Sequence, residues 1–141
     1  MANTGYLLMS ISKKLKYNLN HALTDLNITL QQWSVLQQLA HFSQTANQVT
    51  ANDLATILDM DKPTISAIIK RLTAKNFIYK TKNSHDSRAF DVFLSPAGTD
   101  ICARAMVISD AVLNQFMAQL SITEKDSLNQ ILQKLDREDL Q

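Results

Sequence analysis

Apolar residues recur every three or four positions at Leu8, Ile11, Leu15, Leu19 and Leu23. That is the period of one helical face, and it predicts a helix from about Gly5 to Leu26 with a polar opposite side. Thr29, followed three residues later by Gln32, is a capping-box pattern that opens a second helix with Trp33, Leu36, Leu39 and Ala40 on its inner face. Ser43 to Val49 reads as a loop. Thr50 and Asp53 then start a short third helix carrying Leu54, Ile57 and Leu58, and Asp59-Met60 interrupts it. Asp61 caps a fourth helix with Pro63 in its first turn, where the missing N–H is harmless. Ile65, Ile68, Ile69 and Leu72 form its buried stripe, and Asn76 suits the left-handed residue that closes it.

At Phe77 the period changes from three or four to two. Phe77 to Lys82 and Phe90 to Leu94 are aromatic and β-branched runs that read as two strands. Asn83 to Arg88 is their polar connection, longer than a tight hairpin needs. Ser95-Pro96 restarts a helix through Ile101, Ala105, Ile108, Val112, Phe116 and Leu120, and Thr123 with Asp126 repeats the capping pattern for a last helix bearing Leu128, Ile131, Leu132 and Leu135. The expectation is a mainly α fold with one small β-hairpin.

Composition agrees with that outline. With 45% hydrophobic and 19% charged residues in 141, the chain can bury a core as one domain. Two glycines and two prolines are too few for the many turns of a sandwich or barrel. No apolar stretch approaches a membrane span, and the lysines of the N-terminus follow its short apolar run, the reverse of a signal peptide. The cytoplasm is the expected compartment, with no membrane partner, and the single cysteine agrees with a reducing environment. Net charge is only +1, but its distribution is uneven. Residues 1–60 are neutral, residues 61–88 set seven basic side chains against Asp61 and Asp86, and residues 89–141 carry −4. A polyanion would meet the middle of the chain.

Two short helices separated by a brief break and followed by a hairpin give the winged helix-turn-helix order. In that arrangement the second helix can enter the DNA major groove, about 12 Å wide, while the first crosses the backbone. Opposite the isoleucines lie Lys62, Thr64, Ser66, Ala67, Lys70 and Arg71, the expected groove contacts. The hairpin adds Lys80, Lys82 and Arg88, and an arginine at a loop tip can enter a narrow minor groove. The competing reading takes these cations as a solvated face and the unit as a winged-helix protein-interaction or architectural module. Salt separates the two, because only phosphate binding weakens steeply as salt rises.

From Leu54 to Gly98 the chain resembles the MarR family of transcriptional regulators. The resemblance rests on the Leu54-Ala55 pair, an apolar recognition helix ending in Arg71-Leu72, the wing Asp86-x-Arg88, and Leu94-Ser95-x-x-Gly98 at the start of a long fifth helix. The flanking helices extend it over almost the whole chain. Asn76 replaces the usual glycine, Ser87 stands where a second wing arginine is common, Lys80 where the strand often has arginine, and Ala67 where a larger side chain is frequent. The resemblance implies double-stranded DNA as partner, Arg88 in the minor groove, and Asp86 bracing the wing by a salt bridge or backbone hydrogen bonds. It divides the single domain into a winged lobe at 29–94 and dimerisation helices at 1–26 and 95–141. The apolar faces of those helices exceed what one small lobe can cover, which also points to a homodimer. The implied function is sequence-specific regulation from a roughly palindromic operator. Repression is the expected sign, because so compact a chain has no separate segment for recruiting polymerase.

The remaining chemistry is sparse. His21, His41 and His85 lack partners at metal-ligand spacing, and no nucleophile, base or phosphate-loop signature occurs, so neither metal, cofactor nor catalysis is expected. Cys102 falls among apolar residues and reads as core. MarR relatives that sense oxidants place their cysteine near the first helix, where this chain has none. The family often binds small aromatic or phenolic effectors between its dimer region and its DNA-binding lobe. Met9, Trp33 and His41 are candidates to line such a cleft, but apolar and aromatic residues at these spacings are more often plain core, so no ligand residues are assigned.

Overall fold

Each helix opens where a short polar side chain accepts an otherwise unpaired N–H of the first turn. Asn3 caps α1 (Thr4–Leu23), Thr29 caps α2 (Leu30–Ser43), Thr50 caps α3 (Ala51–Ile57) and Asp61 caps α4 (Lys62–Ala74). The strands β1 (Ile78–Lys82) and β2 (Phe90–Leu94) follow, then α5 (Pro96–Phe116) capped by Ser95 and α6 (Ile122–Leu135) capped by Ser121. The computed structural model describes residues 3–45 and 47–137. Ala46 of the expected loop, and the ends of the two segments expected to dimerise (1–2 and 138–141), lie outside the described residues.

The helix ends explain how a glycine-poor chain turns sharply. Asn27, Asp59 and Asn76 adopt positive φ of 56°, 52° and 63°. Behind each, the next residue's N–H reaches back across the turn: Ile28 to the Leu23 carbonyl, Met60 to Ala55 and Phe77 to Leu72. These are Schellman closures, built on the side chains that tolerate the left-handed region best after glycine.

Several boundaries differ from expectation. The first helix ends at Leu23 rather than Leu26, because Thr24–Leu26 tightens into a 3₁₀ turn before the reversal at Asn27. Phe77 belongs to the closure of α4, so the strand begins at Ile78. The fifth helix stops at Phe116, short of Leu120, and α6 is capped two residues earlier than expected, by Ser121 and Glu124 instead of Thr123 and Asp126. Both pairs have capping chemistry. The turn after Phe116 delivers Ser121, whose Oγ accepts the Glu124 N–H at 3.1 Å while Glu124 Oε1 accepts the Ser121 N–H at 2.9 Å.

The core gathers Leu23 of α1, Val35 and Leu36 of α2, Leu54 of α3, Ile65 and Leu72 of α4, and Val92 of β2, all fully buried. Ile57 instead faces outward, since Leu54 and Ala55 are the residues by which this short helix packs. The strands pair antiparallel, with Ile78 opposite Leu94 and Lys82 opposite Phe90. Simple alternation fails here. Only Ile78 of β1 is buried, whereas β2 buries Asp91 and Val92 in succession. The expected loop before α3 causes the second departure: the Val92 N–H donates to the Val49 carbonyl at 2.9 Å and Thr50 bridges Asp91, covering the free edge of β2.

A tight joint sets α5 against this lobe. Ser95 donates its N–H to the Phe77 carbonyl at 3.0 Å and its hydroxyl to the Asn76 carbonyl, while accepting the Gly98 N–H. A Cβ on Gly98 would stand 1.9 Å from the Phe77 oxygen, so only glycine fits.

Candidate nucleic-acid interface

The stripe Ile65, Ile68, Ile69 and Leu72 buries one side of α4 and leaves Lys62, Ser66, Ala67, Lys70 and Arg71 exposed. Thr64 lies at the edge of the stripe, half-buried, with its N–H donated to Asp61 Oδ1 at 2.7 Å. Hydrogen bonds from the Thr64 hydroxyl and N–H hold the Asp61 carboxyl below its ordinary pKa.

Between α4, the start of α3 and the wing runs an open groove of about 710 Å³. Lys62, Ser66 and Lys70 line it from the helix, Lys80 and Arg88 from the hairpin, and Thr50 and Asn52 from α3. Among the described residues four cations and no carboxylate face this concavity, so its field is positive. Lys80 Nζ lies 5.4 Å from the centre of the Phe90 ring, a cation–π contact that holds the ammonium on the groove side of the ribbon.

The structure therefore divides the expected residues. Lys62, Ser66, Lys70, Lys80 and Arg88 share the groove, whereas Ala67 and Arg71 lie on the outer surface of α4 and Lys82 is exposed at the last rung of β1. Asn52, Thr73 and Phe90 also line it and were not legible beforehand, because only the packing of α3 and β2 around α4 brings them there. Lys75, counted among the basic side chains of this region, turns away. Its ammonium donates to the Asn27 carbonyl and to Gln32 Oε1, tying the end of α4 to the α1–α2 corner.

The wing tip is held by polar side chains of its own loop. Arg88 donates its backbone N–H to Asp86 Oδ1 at 3.0 Å, and its guanidinium Nε lies 3.9 Å from the same oxygen. The Arg88 side chain is 95% exposed, so that ion pair contributes little and leaves the guanidinium available.

Other candidate chemistry is quiet. Trp33 is a core residue, whereas Met9 and His41 are exposed. Cys102 is buried, with its Sγ 3.6 Å from the Leu36 carbonyl, and burial pushes its pKa up to about 11. Among the described residues no group of His, Cys, Asp and Glu could hold a metal ion, and no helix is long and apolar enough to cross a membrane.

Comparison with known proteins points to one family. The model of the MarR family matches residues 26–89. The multiple antibiotic resistance protein MarR of Salmonella typhimurium is 28% identical over 132 residues, covering 93% of this chain and 89% of the relative. These similarities support the MarR family for this chain. A solved cysteine-to-serine variant of MarR from E. coli, complexed with operator DNA, superposes with a TM-score of 0.80 at 25% identity, over 94% of this chain and 93% of that one. The MepR–DNA complex of S. aureus gives 0.78 at 27%, over 99% and 97%. MarR-family members are transcription regulators rather than enzymes, and this chain has their winged-helix fold.

Proposed function

We propose that this protein is a MarR-family regulator of transcription that binds duplex DNA as a homodimer, with α4 in the major groove and the Arg88 wing tip in the flanking minor groove. One observation carries the reading: among the described residues, four cations from two separate elements and no carboxylate face a single concavity. Lys70 and Lys62 then suit phosphate or guanine, Ser66 bases or phosphates, and Ala67 a thymine methyl on the outer turn. Thr64, Arg71 and Lys82 serve as flanking contacts, and Asp86 braces the wing through the Arg88 N–H. That MarR of E. coli and MepR of S. aureus, which share this fold, were solved in complex with DNA supports DNA as the partner.

Unpartnered apolar surface supports the dimer. Burial along α1 fades toward its start, where Tyr6, Leu7, Leu8 and Met9 are exposed. α6 buries no residue within the chain, and Ile122, Ile131, Leu132 and Leu135 stand open to solvent. A two-fold partner would cover these faces and set two recognition helices about one helical turn, roughly 34 Å, apart. A dimer on such an operator would block polymerase wherever the operator overlaps a promoter, and repression is the proposed sign. A small aromatic effector would relieve it only by favouring a lobe spacing that cannot reach both half-sites.

The test is enrichment of bound duplexes from a random-sequence pool. The proposal expects a palindromic consensus, and at least a tenfold loss of affinity in Lys70→Ala and Arg88→Ala, against little loss in Arg104→Ala, outside the groove. No enrichment, or equal losses in all three, overturns it. Salt-insensitive capture of a protein partner, unaffected by the groove changes, would establish the interaction-module alternative.

A further inference from the structure

Asp91 is an unusual residue for a buried position in a strand. It is only 2% exposed, and among the described residues no ion pair reaches it. A buried carboxylate is unfavourable unless hydrogen bonds replace its water. Here Asn83 Nδ2 donates to Asp91 Oδ1 at 2.8 Å, across eight residues of chain.

That bond has a directional consequence. A carboxylate accepts and cannot donate, so the Asn83 amide must turn its nitrogen toward Asp91 and its oxygen toward the wing tip. There Asn83 Oδ1 accepts the N–H of His85 at 2.8 Å and of Asp86 at 2.9 Å. Asp86 in turn accepts the Arg88 N–H, and the loop is closed by Asn83 N–H to the Ala89 carbonyl at 3.0 Å. The hydrogen bonds thus run without a break from the buried base of β2 to the backbone of the arginine at the tip.

We propose that Asp91 and Asn83 are positioning residues for Arg88: the buried carboxylate fixes the Asn83 amide, which fixes the turn that presents the guanidinium to DNA. This rests on Arg88 being a DNA contact. Asp91 matters through its acceptor lone pairs rather than its charge, so an amide at position 91 keeps the relay and an alkyl group breaks it. Breaking it leaves Arg88 present but free to wander, and the ordering must then be supplied on binding.

The experiment is a double-mutant cycle in the full chain, read by anisotropy on a random-sequence duplex at low salt, with amide hydrogen exchange as a readout that does not involve DNA. Arg88→Ala is expected to weaken binding about tenfold and to lower the salt slope by about 1. Asn83→Ala should weaken it about three- to tenfold, should change affinity less than about twofold once Arg88 is already alanine, and should speed exchange at His85, Asp86 and Arg88. Asp91→Asn should behave as wild type and Asp91→Leu as Asn83→Ala. Equal losses from Asn83→Ala with and without Arg88, or unchanged exchange, overturn the relay whatever becomes of the Asp91→Leu fold. If Arg88→Ala binds as wild type, the DNA-contact reading fails instead, and faster exchange in Asn83→Ala still reports whether the relay orders the tip.

Discussion

Two ionisable residues are read most directly from their surroundings. Asp61 keeps its carboxylate below the ordinary pKa because Thr64 donates to it. A depressed folded pKa stabilises above the unfolded value, and the contribution disappears as pH falls through the folded one. Asp61→Ala should therefore melt lower than wild type at neutral pH, with the gap narrowing below about pH 4; thermal unfolding at pH 7 and pH 3 measures both. Cys102 presents the opposite case. With its pKa pushed up to about 11, the thiol stays protonated at neutral pH and lies out of solvent. A water-soluble disulfide reagent should label it only as fast as the protein unfolds, and immediate labelling of the native protein would contradict its place in the core.

Among the elements, the joint between the winged lobe and α5 rests on one missing side chain. Gly98→Ala forces a Cβ into the Phe77 carbonyl, so it should cost at least the ~3 kcal/mol at the upper end of overpacking changes, seen as a lower midpoint in urea. Asn76→Gly should act the other way, adding up to about 1 kcal/mol by relieving a left-handed side chain. The helices, the hairpin and the role of Asn76 were legible in the sequence because periodicity and capping are local. Features made by distant pairing were not. Val49 reads as loop until β2 offers it a partner, and Asp91 reads as an outward residue until Thr50 covers it. Ser121 and Thr123 carry equivalent capping signals, and only the length of the preceding turn chooses between them. The same limit applies to the interface. A basic helix and a basic hairpin were visible separately, but their meeting in one groove, and the withdrawal of Lys75 to Asn27 and Gln32, follow from tertiary packing.

At the scale of the molecule, α6 and the start of α1 expose apolar faces that a second copy would cover. Sedimentation should give twice the 15.8 kDa chain mass, and Ile131→Asp with Leu132→Asp should yield monomers whose winged lobe keeps its helical signal. In the proposed complex the groove cations neutralise phosphates. With four per protomer and twice that number per dimer, each released counterion steepens the salt dependence by about 0.9. The most direct measurement is the affinity of the wild-type protein for its selected duplex between about 50 and 200 mM salt. The expected slope of log affinity on log salt is near −7, a loss of about ten-thousand-fold across that range. A slope shallower than about −2 would mean that the groove does not meet the DNA backbone.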